Sequence, residues 1–204
     1  MRTEGKSGHG GRPYLGVNAI YKIVGLLTRL SQLQRDLARK KHPLVSSPSM
    51  NVGTINGGTR INVVPDTCIA SIDRRLIPGE TIQEAVGEVL GILGELKAGD
   101  KDFKETHTVT SSADAFEISR DLPIVRALEN AIGFVTGQPA PIGGKDAATD
   151  AIWLVKSGIP TALLGLDQYK TAHTADECVE IDKLVAGTKV MALAAYDVLG
   201  RSWA

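Results

Sequence analysis

The sequence predicts an α/β protein in two parts. The first is an antiparallel four-stranded sheet with two helices on one face, and the second is an incomplete portion of a mostly parallel α/β domain. Three observations predict this: two early segments repeat apolar residues at helical spacing, strand-like segments with turn residues separate them, and the later chain alternates helices with a short apolar run. With 204 residues, 43% of them hydrophobic, the chain can bury a sizeable core.

The first part is predicted to run strand, helix, strand, strand, helix, strand. Before His42 and Pro43, apolar residues recur every three or four positions and indicate a long amphipathic helix ended by proline; they are Val17, Ile20, Val24, Leu27, Leu30 and Leu37. Segments 49–55 and 67–77 are predicted strands joined across 56–59, where Asn and Gly accept positive φ. Helical spacing returns from Ile82 to Leu93, and 103–110 is a Thr-rich strand candidate. Two helices on one face of such a sheet make a split βαβ arrangement.

The pattern changes near residue 114, where we place a domain boundary between residues 1–114 and 115–204. The second part is predicted to contain helices over 122–136, 149–156 and 181–198 and an apolar strand over 161–166. One or two strands are few for a doubly wound sheet, whose usual mean is roughly five to six. The second part therefore resembles a piece of a domain.

Composition excludes several function classes. Lys plus Arg and Asp plus Glu both number 23, so no basic excess favours nucleic acid or an anionic membrane. No apolar run reaches the roughly 20 residues of a spanning helix, and the N-terminus has no hydrophobic signal region. Two distant cysteines indicate no disulfide framework. We expect a cytoplasmic protein whose partner is a small molecule or peptide.

Two polar residues in the first part are candidates for contact with a ligand. His9 lies between glycines, which lets the backbone approach a ligand closely, although a solvent-facing loop histidine is the simpler explanation. Asn62 has an amide that can donate to a substrate oxygen or close a turn. Neither residue decides the function by itself.

Arg75 is the third candidate in the first part. A strand period of two places Cys68, Ala70 and Ile72 on the helix-covered face and Arg75 on the other face. A fixed guanidinium can bind a carboxylate through two parallel hydrogen bonds. A surface ion pair with Asp73, of little energetic value, explains the residue equally well.

His173 follows the predicted apolar strand, in a polar loop that also carries Asp176 and Glu177, just before the last helix. In α/β enzymes such loops deliver metal ligands or bases to a cleft. His173 is therefore the candidate metal ligand.

Four stretches, in this order, resemble the zinc-dependent amidohydrolase and exopeptidase family of acetylornithine deacetylase, succinyl-diaminopimelate desuccinylase, aminoacylase-1 and carboxypeptidase G. They are GKSGHGGRPYLGVNAI, GGTRINVVPDTCIASIDRRLIPGE, AATDAIWLVKSGIPTALLG and AHTADECVEI, and they cover nearly the whole chain. The resemblance implies a ferredoxin-like βαββαβ lid, which also forms a homodimer interface, followed by the end of a catalytic zinc-peptidase domain.

The resemblance also implies roles for the candidate residues. His173 matches a zinc-binding histidine, and His9 matches the lid histidine that stabilises the tetrahedral intermediate in a partner subunit. Asn62 and Arg75 match substrate-binding lid residues, with Arg75 at the substrate carboxylate. The substrate is then an N-acyl amino acid or small peptide, and the family holds two zinc ions, for which cobalt or manganese can substitute.

The sequence departs from the family in its other metal ligands and its general base. No histidine is followed by x-Asp, and no Glu-Glu pair occurs. Since a catalytic zinc normally has three protein ligands, we expect this chain alone to bind zinc weakly and turn over little. Two interpretations stay open: part of a metal-dependent amide hydrolase, or a noncatalytic dimerisation module derived from that family. A third, a phosphate-binding α/β protein, has only glycines in its favour.

Overall fold

The computed structural model describes residues 1–165 and 174–200, and the chain divides into two compact units, Met1–Ala115 and Phe116–Ala204. The first unit is a mixed α/β structure. Its elements in chain order are β1 (Arg2–Glu4), β2 (Gly8–His9), a 3₁₀ turn (Pro13–Leu15), α1 (Ala19–Leu37), β3 (Ser49–Gly57), β4 (Val63–Val64), β5 (Thr67–Arg75), α2 (Ile82–Gly99) and β6 (Lys104–Thr106).

Four of these strands form one antiparallel sheet in the order β3-β5-β1-β6. The long pair β3 and β5 runs from Ser49 opposite Arg75 to Gly57 opposite Cys68, with a register shift between Val52 and Thr54. The predicted four-stranded antiparallel sheet is confirmed, because the short strand β1 pairs with both β5 and β6.

Both helices of the first unit begin at a side chain that satisfies free backbone donors. Asn18 Oδ1 accepts from the backbone N–H groups of Ile20 and Tyr21, at 2.9 and 3.2 Å. Thr81 and Glu84 form a reciprocal capping box at the start of α2. Local sequence thus fixes where each helix begins.

The core of the first unit lies between the sheet and these helices. Cys68 and Ala70 of β5 are buried against Ala19 and Ile23 of α1. A second cluster joins both helices to the segment before β6, through Leu26, Leu30, Leu93 and Phe103. The prediction that alternate residues of β5 face the helices is confirmed.

The connection between β3 and β5 differs from the predicted tight turn. Gly58 adopts φ +77°, which only glycine takes without strain, so the turn chemistry is present. The chain does not return at once, however, because β4 intervenes and pairs with β2 to form a separate two-stranded ribbon. Two-residue strands are too short for hydrophobic periodicity to detect.

The described part of the second unit is helical, with α3 (Pro123–Thr136), α4 (Ala151–Lys156) and α5 (Ile181–Gly200). The helices α3 and α5 pack through small side chains, with Ala127 and Ala131 against Val190 and Ala194. The strand predicted over 161–166 is wrong for 161–165, which form no strand; residue 166 lies outside the described residues. A strand needs a neighbour to pair with, and 161–165 has none in the described residues of this unit.

No helix within residues 1–165 and 174–200 has the length and apolar character needed to cross a membrane.

Candidate functional site

Two predicted site residues, His9 and Asn62, come together on the ribbon of β2 and β4. His9 pairs with Val63, the residue after Asn62. The backbone N–H of Gly10 donates to the carbonyl of Asn62 at 2.8 Å. A Cβ at Gly10 would lie 2.9 Å from the backbone of Asn62, so this close approach requires glycine. The backbone of Gly10, next to His9, therefore holds His9 close to Asn62.

The imidazole of His9 is exposed, and one of its nitrogens is already used. The backbone N–H of Gly11 donates to His9 Nδ1 at 3.0 Å. Because Nδ1 accepts this bond, the neutral ring carries its proton on Nε2. The ribbon thus presents an N–H donor, which is the form that can stabilise a developing oxyanion.

Asn62 is also exposed, and its side-chain amide makes no hydrogen bond to the described residues. Its carboxamide can both donate and accept. His9 and Asn62 together therefore offer two neighbouring polar groups at one end of the first unit.

Arg75 lies at the other end of β5. Strand β5 begins at Thr67, close to the ribbon, and Arg75 is about 26 Å further along it at the usual rise of roughly 3.3 Å per residue. Arg75 Nε donates to Asp73 Oδ2 at 2.8 Å, and both side chains are half exposed. The structure thus contains the surface ion pair with Asp73, and one chain does not bring Arg75 to His9.

A partly buried ionic cluster next to Arg75 was missed by sequence analysis. Arg74 Nη2 contacts Glu80 Oε1 at 3.0 Å and Glu88 Oε2 at 3.2 Å, and Lys40 Nζ contacts Glu80 Oε1 at 2.6 Å. Arg74 and Glu80 are only 12% and 11% exposed, and Arg74 also donates to the carbonyl of Arg75. The sequence feature that could have indicated this cluster is Arg74, a charged residue that the strand period places on the helix-covered face of β5.

Electrostatics within this cluster favour the ionised form of Glu80. Burial alone would raise the pKa of Glu80, but hydrogen bonds from Arg74 and Lys40 outweigh it and hold the pKa below its usual value. The same contacts raise the pKa of Lys40, chiefly through its bond to Glu80. The cluster lines a cavity of about 450 Å³ together with Pro78, Gly79 and Glu84, and it fixes the end of the strand that carries Arg75.

The predicted metal ligand His173 lies outside the described residues. Within residues 1–165 and 174–200, no three His, Cys, Asp or Glu side chains are grouped so that they could hold a metal ion. A catalytic zinc requires about three protein ligands, so the described residues do not form a zinc site by themselves.

The sequence was compared with known families and curated proteins. Residues 1–101 match the Peptidase dimerisation domain of the M20 family. The chain is 30% identical to acetylornithine deacetylase from Vibrio vulnificus, over 89% of this chain and 47% of that protein. It is 28% identical to N-formyl-4-amino-5-aminomethyl-2-methylpyrimidine deformylase from Halalkalibacterium halodurans, over 93% of this chain and 48% of that protein. The chain thus spans about half the length of these relatives.

Solved structures show the same fold at lower identity. A tripeptidase from Staphylococcus aureus superposes with a TM-score of 0.75 and 22% identity, over 98% of this chain and 50% of that one. An M20 family metallo-carboxypeptidase from Sulfolobus solfataricus superposes with a TM-score of 0.73 and 16% identity, over 97% of this chain and 58% of that one. Residues 1–101 thus belong to the M20 peptidase dimerisation domain, and the chain as a whole is similar to M20 family proteins over about half of their length.

Proposed function

We propose that this chain is part of a metal-dependent hydrolase that cleaves the amide C–N bond of an N-acyl amino acid or small peptide. The first unit is then a ferredoxin-like lid that forms a homodimer, and the second is the end of the catalytic domain. Relatives named deacetylase and deformylase remove acyl groups, and structural neighbours named tripeptidase and carboxypeptidase cleave peptides. These names support hydrolysis of an amide bond as the reaction class, while the identity of the substrate's acyl group and amino-acid side chain stays open.

The observation that carries the proposal is the separation of the candidate residues along β5. His9 and Asn62 share the ribbon, whereas Arg75 lies about 26 Å further along the strand. A small substrate cannot span that distance, so a site that uses all three residues needs a second copy of the chain. The dimerisation domain supplies a reason for that copy to be present.

Each residue has a definite task in such a shared site. His9 Nε2 and the Asn62 amide donate hydrogen bonds to the oxygen that becomes negative when water attacks the amide carbonyl. Arg75 exchanges its exposed bond to Asp73 for the substrate's carboxylate, which it can hold through two parallel hydrogen bonds. Zinc, or cobalt or manganese in its place, would activate the water. His173 would be one of its ligands.

The second candidate is a noncatalytic dimerisation module. The match of residues 1–101 to a dimerisation domain is the observation that supports it. Both candidates share the dimer, so dimerisation does not separate them. We also propose a cytoplasmic location, because Cys68 and Cys178 are both free.

Carboxylate recognition by Arg75 provides the test. The purified chain is titrated with an N-acetyl amino acid and with the corresponding C-terminal amide, and binding is followed by NMR. We expect the acid to bind better than the amide, and we expect Arg75→Ala to remove that preference without dissolving the dimer.

Arg2→Ala is the matched control. Arg2 also lies on the open face of the sheet, is half exposed, and pairs with a carboxylate two residues away, Glu4, at 3.8 Å. If both variants lose the preference equally, or if acid and amide bind alike, Arg75 does not recognise the substrate. If Arg75→Ala dissolves the dimer, the arginine is structural.

A further inference from the structure

The end of the first unit that carries the ribbon of β2 and β4 has an excess of positive charge. We define this ribbon end as residues 6–17 and 58–65. Its sequence contains Lys6, Arg12 and Arg60 but no Asp or Glu. The whole chain has a formal net charge of zero, so the excess is a local property of this end. A local excess of one sign attracts ligands of the opposite sign.

Arg12 and Arg60 are exposed, and neither forms an ion pair with a residue of 1–165 or 174–200. Most arginines within these ranges do form one. The exceptions are Arg12, Arg35 and Arg60. Asp66, the carboxylate just beyond the ribbon end, accepts a hydrogen bond from the Ser7 hydroxyl at 2.8 Å. The guanidinium groups of Arg12 and Arg60 are therefore available to an anion from solution.

The backbone places these two arginines on the turns that hold His9 and Asn62. The N–H of Arg12 donates to the carbonyl of His9 at 2.8 Å and closes one turn. The N–H of Val63 donates to the carbonyl of Arg60 at 3.2 Å and closes a second turn, which contains Asn62. The first and last Cα atoms of such turns lie within about 7 Å of each other. Since His9 pairs with Val63, both arginines lie next to the proposed oxyanion donors.

The role proposed for Arg75 decides which part of a substrate these two arginines can reach. In the shared site, Arg75 of a second copy holds the carboxylate of the amino acid, while His9 and Asn62 contact the oxygen of the scissile carbonyl. The carbon of that carbonyl bears the amide nitrogen and the acyl chain. Because the amide nitrogen leads to the carboxylate at Arg75, the acyl chain is the group that remains beside Arg12 and Arg60.

We propose that Arg12 and Arg60 bind a carboxylate at the far end of the substrate's acyl chain. The preferred substrates are then amino acids acylated by a short dicarboxylic acid. A guanidinium can bind a carboxylate through two parallel hydrogen bonds, and its positive charge strengthens both. The assignment of this carboxylate to the acyl chain rests on the proposed function, whereas anion binding by the two arginines does not.

Binding of two ligands of nearly equal shape tests the proposal. The purified chain is titrated by NMR with N-succinylglycine and with N-succinamoylglycine, in which an uncharged amide replaces the carboxylate of the acyl chain. Both ligands keep the glycine carboxylate, so they differ only in the group assigned to Arg12 and Arg60. We expect N-succinylglycine to bind about 10-fold more tightly at low salt, because hydrogen bonds between charged groups are worth about that much. Added salt should reduce this preference, since the site is exposed.

Three substitutions that each remove one positive charge form a matched set. Arg12→Gln and Arg60→Gln should each lower the preference for N-succinylglycine to about threefold or less. Arg35→Gln is the control, because Arg35 is also exposed and without an ion pair in the described part of the chain. The helix α1 begins beside the ribbon end, where the N–H of Ala19 donates to the carbonyl of Pro65. Arg35 lies about 24 Å further along α1 at the usual rise of roughly 1.5 Å per residue, so its removal should leave the preference unchanged.

Three results overturn the proposal. The first is equal binding of the two ligands. The second is a loss of preference in Arg35→Gln as large as in Arg60→Gln, because net charge alone would then attract the anion. The third is tighter binding of N-pentanoylglycine, which would assign the acyl chain to the exposed side chains of Tyr14 and Ile61.

The Arg75→Ala variant separates this inference from the proposed function. If Arg75→Ala leaves binding of the glycine carboxylate unchanged while the preference for N-succinylglycine persists, Arg12 and Arg60 bind an anion and the proposed role of Arg75 is wrong. If the two ligands bind alike while Arg75→Ala weakens both, the proposed role of Arg75 holds and this inference is wrong.

Discussion

The two units of this chain differ in which side chains they bury. The first unit buries large residues completely, among them Ile23, Leu26, Leu30 and Leu93, between a sheet and two helices. In the described part of the second unit, three of the four buried residues in the core shared by α3 and α5 are alanines, and the larger apolar residues around them are only partly buried. The core of the first unit is thus built of large side chains, whereas the core shared by α3 and α5 is built mainly of small ones.

Helix capping follows the same division. Side chains of Asn18 and Thr81 cap the two helices of the first unit. The helices α3 and α4 begin at Leu122 and Asp150, and neither side chain makes a capping bond. The sheet-bearing unit is therefore stabilised both by its core and at its helix ends.

The largest expected effect is the loss of stability on truncating a buried leucine of the first unit, with an exposed leucine of the second unit as the comparison. Leu30→Ala should lower the free energy of unfolding by about 2–5 kcal/mol, because Leu30 is fully buried and its removal leaves a cavity. Leu184 of α5 in the second unit is 49% exposed. Leu184→Ala should therefore lower the free energy of unfolding by less than about 0.5 kcal/mol.

Urea unfolding read by two probes checks this pair. Both tryptophans of the sequence, Trp153 and Trp203, follow residue 115, so fluorescence reports on the part of the chain after the first unit, while circular dichroism reports on the whole chain. Comparable losses for Leu30→Ala and Leu184→Ala would mean that the second unit has a closed core after all.

An intermediate effect is expected at the partly buried ionic cluster around Arg74, and the neighbouring residue Arg75 provides the control. Arg74→Met should destabilise the first unit by about 2 kcal/mol. This is less than for a fully buried pair, because Lys40 still neutralises Glu80. Arg75→Met, in an exposed pair, should change stability by at most about 0.5 kcal/mol.

The pH dependence of the Arg74→Met effect identifies its cause. Since the folded-state pKa of Glu80 lies below the ordinary 4.5, its ionic stabilisation is complete above that pH and is lost as the pH falls through the folded pKa. The gap between the parent and Arg74→Met should therefore narrow below about pH 4.5. Thermal melts between pH 7 and 3 measure it, and a constant gap would point to lost packing instead.

The smallest expected effect is at a helix end. Thr81→Ala removes the capping box of α2 and should cost about 1 kcal/mol. Thr28→Ala is the control, because the Thr28 hydroxyl only donates to the carbonyl of Val24 within α1, and alanine favours a helix interior. If Thr81→Ala and Thr28→Ala lower the free energy of urea unfolding equally, the Thr81 cap does not stabilise the first unit, and capping is not a difference between the two units.

Much of the first unit could be predicted from sequence. The spacing of apolar residues predicted α1 and α2, and alternation along β5 predicted which residues face them. Sequence analysis also gave His9 and Asn62 as candidates for contact with a ligand, but no local pattern indicated that the two residues lie on the same two-stranded ribbon. That pairing joins residues more than fifty positions apart, and local patterns carry no information about such a partner.

The sequence by itself determined the helices, their caps and the apolar faces of the first unit, because these depend on residues a few positions apart. Only the tertiary structure decided the ribbon, the Arg74 cluster and the distance from His9 to Arg75, since each depends on which distant segments meet. The run 161–165 is a second example of a feature that local sequence does not decide. Its residues favour a strand, but a strand forms only when another segment supplies the hydrogen bonds.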